Sequence, residues 1–417
     1  MTDPSIPRFS LDLGDAAFLR NPYPRLAQLR RDMPVFHDPD RDRIFVLSYS
    51  TISQILRSRR FGRSILHILS RDELGWPPPD PRQADFDRFE GNHMMSKEPP
   101  DHTRLRGTVG RAFTPKRVED LRGRMQEIVE HSLDRLAVRT SFDLVADFAE
   151  PLPVTVISEL LGVPTPYRQR LRDWSGDIVK LYEPAVTAAE QARANAAVVE
   201  FSTYLRGLIE ERRAQPGPDL ITALIERDET GERLSEDELI ATCILLLNAG
   251  HEATVNGTSG AVLTLQRHPD AWQSLVAAAR EPGLHPLFKT AVDELLRYDT
   301  PLPLFERWVL EDTEIDGVRF ERTTQVALLL GSGNRDPAKF AEPDRLDLDR
   351  DPNPHLTFGL GSHFCLGAPL ARLEMQIALH GLARRFPRLR LAEPEAEPVY
   401  RPGFVIRGLA HLPVAPG

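Results

Sequence analysis

Phe358-Gly359-Leu360-Gly361-Ser362-His363-Phe364-Cys365-Leu366-Gly367-Ala368-Pro369 is the stretch on which the reading of this chain turns, and the helical pattern Leu370-Ala371-Arg372-Leu373-Glu374 follows it. Gly359, Gly361 and Gly367 surround a single cysteine. Glycine adopts backbone angles that other residues avoid and lets the main chain approach a flat ligand closely, while proline suits the first turn of a helix. Cys365 therefore stands just before a helix N-terminus. There the positive end of the helix dipole and the free amides favour thiolate over thiol, and thiolate is the form that binds a metal. The competing reading is a buried, purely structural cysteine in a glycine-rich turn.

Working upstream, Glu294-Leu295-Leu296-Arg297 places opposite charges three residues apart on one helix face, a pattern that also decorates ordinary helix surfaces. Farther upstream the longest helix candidate starts at Ser235, where Ser-Glu-Asp-Glu fits a capping box with Glu238 at the third helical position, and runs to about His268 before Pro269. At the helical rise it spans roughly 50 Å. Its first half is apolar (Leu239, Ile240, Ile244 to Leu247), after which it changes to Asn248-Ala249-Gly250-His251-Glu252-Ala253-Thr254. An interior glycine costs roughly 1 kcal/mol relative to alanine, and an unpartnered carboxylate in apolar surroundings costs more, so a compensating interaction is expected there.

Elsewhere apolar residues recur at three- and four-residue spacing at 24–31, 118–136, 188–213, 270–280 and 369–386. Strand patterns are fewer: Ile44 to Leu47, and Glu314 to Leu330 around the turn pair Asp316-Gly317. Most of the 36 prolines fall between these segments. The expected fold class is mainly α with small β-sheets. No Gly/Ser-rich linker, repeat or low-complexity tract divides the 417 residues, so a single domain over 1–417 is expected, with 1–20 a loosely ordered N-terminal segment. A formal charge of -9 argues against nucleic acid as partner. The N-terminal residues carry no apolar run of signal-peptide or membrane-span length, which leads us to expect a cytoplasmic protein with no membrane partner. Two cysteines, Cys243 and Cys365, are too few for a disulfide framework.

The cysteine loop resembles the haem-binding signature of the cytochrome P450 monooxygenases, Phe-x-x-Gly-x-His-x-Cys-x-Gly in its bacterial form. The resemblance extends over nearly the whole chain: Glu294 and Arg297 match the family's Glu-x-x-Arg element, Asn334-Arg335-Asp336-Pro337 with Phe340 and Pro343 its approach to the cysteine loop, and Arg407-Gly408-Leu409 its terminal hairpin. It implies the cytochrome P450 fold, haem b with Cys365 as iron ligand, and dioxygen as co-substrate. Cofactor contacts are implied at Phe358, Gly361 and Gly367 in the loop and at Ala249 and Gly250 on the long helix. His102, Arg106, Arg307 and His363 match positions that bind the haem propionates, for which Arg and His are suitable donors. Glu294, Arg297 and Arg350 are expected to form a structural network.

Asn248 to Thr254 resembles the family's oxygen groove, where small residues leave room for dioxygen and an acid followed by Thr delivers protons. Here Glu252 supplies the acid, but Ala253 stands where the family usually has Thr, and Thr254 is turned about 100° farther round the helix. Proton delivery is then expected to use ordered water, a hydroxyl of the substrate, or Glu252 alone; simply poorer coupling is the alternative. By position, an apolar substrate pocket is expected from Met94, Met95, Leu245, Asn248, Leu302, Pro303, Phe305, Phe404 and Val405, with 63–91 as a mobile entrance loop.

No fused reductase pattern is present, so electrons from NAD(P)H are expected through a ferredoxin or flavodoxin with its reductase. Arg104, Arg111, Arg372, Arg384 and Arg385 form either a basic face for that partner or an ordinary solvated set. The family expectation is a monomer. The implied reaction inserts one oxygen atom into an apolar small molecule, by hydroxylation or epoxidation. Two alternatives are a peroxide-driven enzyme of the same fold and a haem sensor, for which His251 would be the second axial ligand.

Overall fold

The computed structural model describes residues 6–183, 186–226 and 233–417, and is mainly helical with small sheets. The chain sorts into two compact units, one of Met1–Gly62, Leu121–Leu152 and Glu252–Gly417, the other of Arg63–Asp120 and Pro153–His251. Two of the boundaries fall inside continuous helices, Pro151–Leu161 and Glu236–Gln266, so no linker composition announces them.

The first unit contains the largest sheet. Its strand order is Val35–Asp38, Arg43–Val46, Gln325–Leu328, Phe305–Val309, Phe61–Gly62, with the second and third strands parallel and the rest antiparallel. Side chains alternate across a strand. Accordingly Ile44, Val46, Val326 and Leu328 join one core cluster with Val309 and Phe320, while Phe45, Leu47, Ala327 and Leu329 join another with Phe36 and Phe404. A two-residue turn joins Thr313–Ile315 to Val318–Phe320, and both turn residues have positive φ, 51° at Asp316 and 77° at Gly317, as a tight hairpin demands.

Residues 1–5 of the segment expected to be loosely ordered lie outside the described residues, and 6–20 correct that expectation. Leu11, Leu13, Phe18 and Leu19 are buried in the second cluster, and the Asp15 side chain caps the short helix Ala16–Arg20 by accepting from Phe18 N at 2.7 Å. The apolar residues there are too sparse to read as periodic, yet the cluster absorbs each of them. The pattern over 118–136 resolves into two helices, Pro115–Asp120 and Arg122–Leu136, broken where the two units divide. The cysteine helix, Ala368–Arg385, packs closely on Arg122–Leu136: a Cβ on Gly381 would lie 2.7 Å from Val129 and 3.0 Å from Leu133. Tyr400 and Leu409 form an antiparallel bridge, with Arg401 N donating to Gly408 O at 2.9 Å, so the Arg407-Gly408-Leu409 segment is the returning arm of a narrow hairpin.

In the second unit, the segment expected to be an entrance loop folds in part: helix Ala84–Glu90 buries Phe86 and Phe89, and the Asn195 side chain accepts from Asp85 N and Phe86 N at 3.2 and 3.1 Å. Glu90 closes this region by accepting from Tyr182 at 2.7 Å and Ser96 at 2.8 Å, beside His93 at 3.0 Å. Burial would raise its pKa, but the His93 charge and these hydrogen bonds hold it down to about 2. The long helix starts as the capping box requires, Glu238 N donating to Ser235 Oγ (3.1 Å) and Ser235 N to Glu238 Oε2 (2.8 Å), and continues unbroken from Glu236 to Gln266. Among the described residues no helix is long and apolar enough to cross a membrane.

Candidate thiolate site

The cysteine loop is shaped by two left-handed glycines, Gly359 at φ 66° and Gly361 at φ 73°. Gly361 is required twice over, because a Cβ there would also fall 2.3 Å from the main-chain oxygen of Leu56. Cys365 N donates to Phe358 O at 2.9 Å, folding the loop back so that the thiol stands at its tip, ahead of the helix that begins at Ala368 with Gly367 as N-cap. Cys365 is exposed. Cys243, by contrast, is buried in the second unit, and burial pushes its thiol up to about 12, which makes it inert packing. Among the described residues no group of three or more His, Cys, Asp or Glu is placed to hold a bare metal ion. A single accessible thiolate donor, framed by glycines at a helix N-terminus, fits an iron already held in a flat macrocycle.

Behind the loop, Glu294 and Arg297 are fully buried and meet through Nε–Oε2 at 2.7 Å and Nη2–Oε1 at 2.8 Å. Arg350 Nε reaches both Glu294 oxygens at 3.2 and 3.1 Å, joining the network expected of it. Arg297 also donates to Asn334 O and Pro343 O at 2.9 and 2.8 Å. Two members escaped the sequence reading, Asp347 N and Asn353 Nδ2, which donate to Glu294 at 2.9 and 3.1 Å; Asn334, from the approach segment, accepts through Oδ1 from Leu356 N at 2.6 Å at the start of the loop. Their signal was weak because loop residues carry no periodicity.

Arg372 departs from expectation. Rather than joining a basic surface face, it donates from Nε to Asp293 at 2.6 Å and covers the ring of Phe358 at 4.3 Å, with His355 Nε2 also on Asp293 at 3.1 Å. Burial would raise the Asp293 carboxyl, but His355 and Arg372 bring it below its ordinary value. Arg384 and Arg385 have acidic neighbours too, Glu130 at 3.8 Å and Asp134 at 2.5 Å, and in the second unit Arg104 pairs with Glu238. Arg111 donates to Thr108 at 3.3 Å. Much of the expected basic face is thus neutralised locally.

The remaining candidates are described within their own units. In the first, Arg307 is buried on strand Phe305–Val309 with its guanidinium 4.9 Å from the Phe305 ring, and His363 is half-buried in the turn Gly361–His363. Leu302 and Val405 are half-buried and Pro303 is buried. Phe404 is buried in the core cluster, its ring tilted 42° against that of Phe18 at 4.9 Å. Thr254 is buried, while Glu252 and Ala253 are partly exposed. Glu252 has the compensating charge that the sequence demanded: Arg401 Nη1 lies 3.7 Å from its Oε2.

In the second unit, His102 is buried and Arg106 half-buried on helix Asp101–Ala112, four residues apart and so on one face. Met94 and Leu245 are buried, Met95 half-buried and Ala249 exposed. A Cβ on Gly250 would meet Ile157 at an ordinary 3.7 Å, so no packing within this unit requires glycine there. Its cost to the helix is the kind accepted where an external group must come close. Asn248 is buried, and neither amide atom has a hydrogen-bond partner among the described residues.

Glu374, on the cysteine helix, carried no sequence signal. Burial alone raises its carboxyl to about 8. An acid whose folded value lies above its unfolded one stabilises fully below about 4.5 and loses that contribution as pH climbs through about 8. Stability measured by urea unfolding should therefore fall between those values, and Glu374→Gln should flatten the slope; an unchanged slope would contradict the assignment.

A sequence profile of the family described as Cytochrome P450 matches residues 75–407. Cytochrome P450 107B1 of Saccharopolyspora erythraea is 45% identical over 337 residues, 81% of this chain and 80% of that protein. The cytochrome P450 monooxygenase PikC of Streptomyces venezuelae is 38% identical over 412 residues, 97% of this chain and 94% of that one. Among solved structures, P450BioI in complex with an acyl carrier protein ligated to hexadec-9Z-enoic acid superimposes with a TM-score of 0.87 at 36% identity, covering 96% of this chain and all (100%) of that chain.

Proposed function

Because the chain belongs to the cytochrome P450 family of haem-dependent oxidoreductases, we propose that it is a haem-thiolate monooxygenase that oxygenates an apolar small molecule with electrons from an external partner. The observation that carries this reading is the accessible Cys365 thiol on its glycine loop at a helix N-terminus. When bound, the haem supplies reductive activation of dioxygen, one atom going to substrate and the other leaving as water.

The chain's own residues divide the remaining work. Cys365 ligates the iron, and the amide and dipole environment of the Ala368–Arg385 helix keeps it ionised. His102, Arg106, Arg307 and His363 bind the propionates, and Phe358, Gly361, Gly367, Ala249 and Gly250 let the flat group approach. Glu252 moves protons. Ala253 has no hydroxyl to offer, so water or a hydroxyl of the substrate completes the path. Asn248, buried with its amide lacking a partner among the described residues, is suited to one polar group on an otherwise apolar substrate facing Met94, Met95, Leu245, Leu302, Pro303, Phe305 and Val405. Electrons come from NAD(P)H through a ferredoxin or flavodoxin and its reductase, and the protein works as a cytoplasmic monomer.

Reduction under carbon monoxide tests the reading directly: a band of thiolate-ligated haem iron is expected, and its absence would refute it. Turnover supported by ferredoxin but not by peroxide separates a monooxygenase from a peroxide-driven enzyme. A low-to-high-spin change on adding substrate excludes a sensor with His251 as fixed second ligand. The substrate panel should hold terpenes, steroids, aromatic acids and fatty acids, the last both free and carrier-bound, since a structural neighbour holds a carrier-bound fatty acid. In Ala253→Thr, product formed per reduced nicotinamide should change measurably from the parent; equal coupling would show that the missing hydroxyl is immaterial.

A further inference from the structure

Two side chains border the Phe358 ring, and both end on one oxygen atom. The Arg372 guanidinium lies 4.3 Å from the ring centroid and the His355 ring 5.6 Å, while Arg372 Nε donates to Asp293 Oδ1 at 2.6 Å and His355 Nε2 meets the same oxygen at 3.1 Å. We infer that Asp293 is a positioning residue for the iron-binding loop, holding Arg372 and His355 against Phe358 so that the main chain carrying Cys365 keeps one geometry and its thiolate one environment. The inference rests on Cys365 being the iron ligand, as read above, and adds a group outside the loop that controls it.

The acid comes from helix Leu287–Tyr298. Asp293 and Glu294 are consecutive there, so their side chains leave the helix about 100° apart. Glu294 enters the buried network with Arg297 and Arg350, and Asp293 meets the loop through Arg372 and His355. His355 makes a second hold. Its Nδ1 accepts from Thr357 N at 3.3 Å, which leaves the ring proton on Nε2 to be donated to Asp293. Thr357 precedes Phe358, and Phe358 O in turn accepts from Cys365 N at 2.9 Å. One carboxylate thus steadies the main chain at 357 through His355 and the side chain at 358 through Arg372, and residue 358 closes the loop on the cysteine.

Exposure separates this arrangement from the core network beside it. The Asp293 side chain is 22% exposed and that of Arg372 29%, whereas Glu294 and Arg297 are wholly buried. An ion pair in contact with water adds little to global stability, so the fold survives its loss. What depends on it is the placing of a planar guanidinium over an aromatic ring, which the charge-assisted bond to Asp293 fixes. Hydrogen bonds and water around a thiolate set how much charge it gives its metal, so a loosened loop changes the potential of the iron.

The test is hydrogen exchange of the Cys365 amide in the purified holoenzyme, together with the reduction potential of the haem. In Asp293→Asn, which keeps shape and an acceptor but not the charge, and in Arg372→Gln, this amide should exchange at least about threefold faster, with the amides of Leu287–Tyr298 unchanged. The ratio of reduced to oxidised haem at a fixed applied potential should change at least about threefold, about 28 mV for one electron. Coulomb's law alone would move the two potentials in opposite directions, since one variant loses a negative and the other a positive charge. A shared loosening of the loop moves both the same way. In a Phe358→Leu background Arg372→Gln should not quicken the amide further, because the ring it covers is gone. The inference is overturned by an unchanged Cys365 amide in both variants, by exchange that quickens throughout the chain, by potentials that move in opposite directions, or by an Arg372→Gln effect undiminished without the ring. Each protein is also reduced under carbon monoxide: a parent without the thiolate band defeats the monooxygenase reading and this inference with it. A normal band with unaltered exchange in both variants defeats the inference alone.

Discussion

Cys365→Ser is expected to abolish both the carbon monoxide band and oxygenation while leaving the fold intact. A hydroxyl is not ionised at neutral pH and is a poor ligand for iron beside a thiolate, so the substitution removes the one soft donor the site offers. Folding should not suffer, because Cys365 is exposed and the change is nearly isosteric; surface substitutions of this kind alter stability by about 0.5 kcal/mol or less. Haem content, the reduced carbon monoxide spectrum and urea unfolding separate the two effects. Retained pigment with retained turnover would remove Cys365 from the mechanism. A collapse of the fold would instead make it a structural cysteine.

The second large effect belongs to the Glu294–Arg297 pair. Both side chains are fully buried, so removing one partner strands the other's charge away from water. Breaking such a pair costs about 3–5 kcal/mol, a large part of the roughly 5–15 kcal/mol that holds a typical domain together. Arg297→Ala should be worse placed still, because Asn334 O and Pro343 O lose their donor as well. We expect little folded protein from Glu294→Ala or Arg297→Ala, measured as soluble yield and urea midpoint. Replacing both residues by apolar ones of similar volume should cost less than the sum of the single changes. Single variants within about 1 kcal/mol of the parent would show that the network is dispensable.

How much of this was legible before folding depended on local rules. The capping box at Ser235, the Asp316-Gly317 hairpin and the long helix follow from local dihedral and hydrogen-bond demands, and the structure forms each of them. The glycine-framed cysteine ahead of a helix is likewise a local pattern, which the chain's membership of the family extends into a chemistry. Alternation of inward and outward residues assigned Val326 and Leu328 to one core and Ala327 and Leu329 to another, a consequence of the strand period alone.

Other features were settled by contacts between residues far apart in sequence. Nothing near Arg372 says that it will lie on Phe358 and bind Asp293, nothing near Phe404 says that it will pack against Phe18, and residues 6–20 show too little pattern to be read as packed. Arg401 pairs with Glu150 and with Glu252, and the three lie on separate stretches of chain. The sequence by itself determined the capping box, the hairpin turn and the glycine-framed cysteine ahead of a helix, because helix termini, glycine dihedrals and side-chain period act over a few residues. Only the tertiary structure decided which distant charges neutralise one another, because Coulomb and hydrogen-bond energies depend on separations of a few ångströms that chain order does not record.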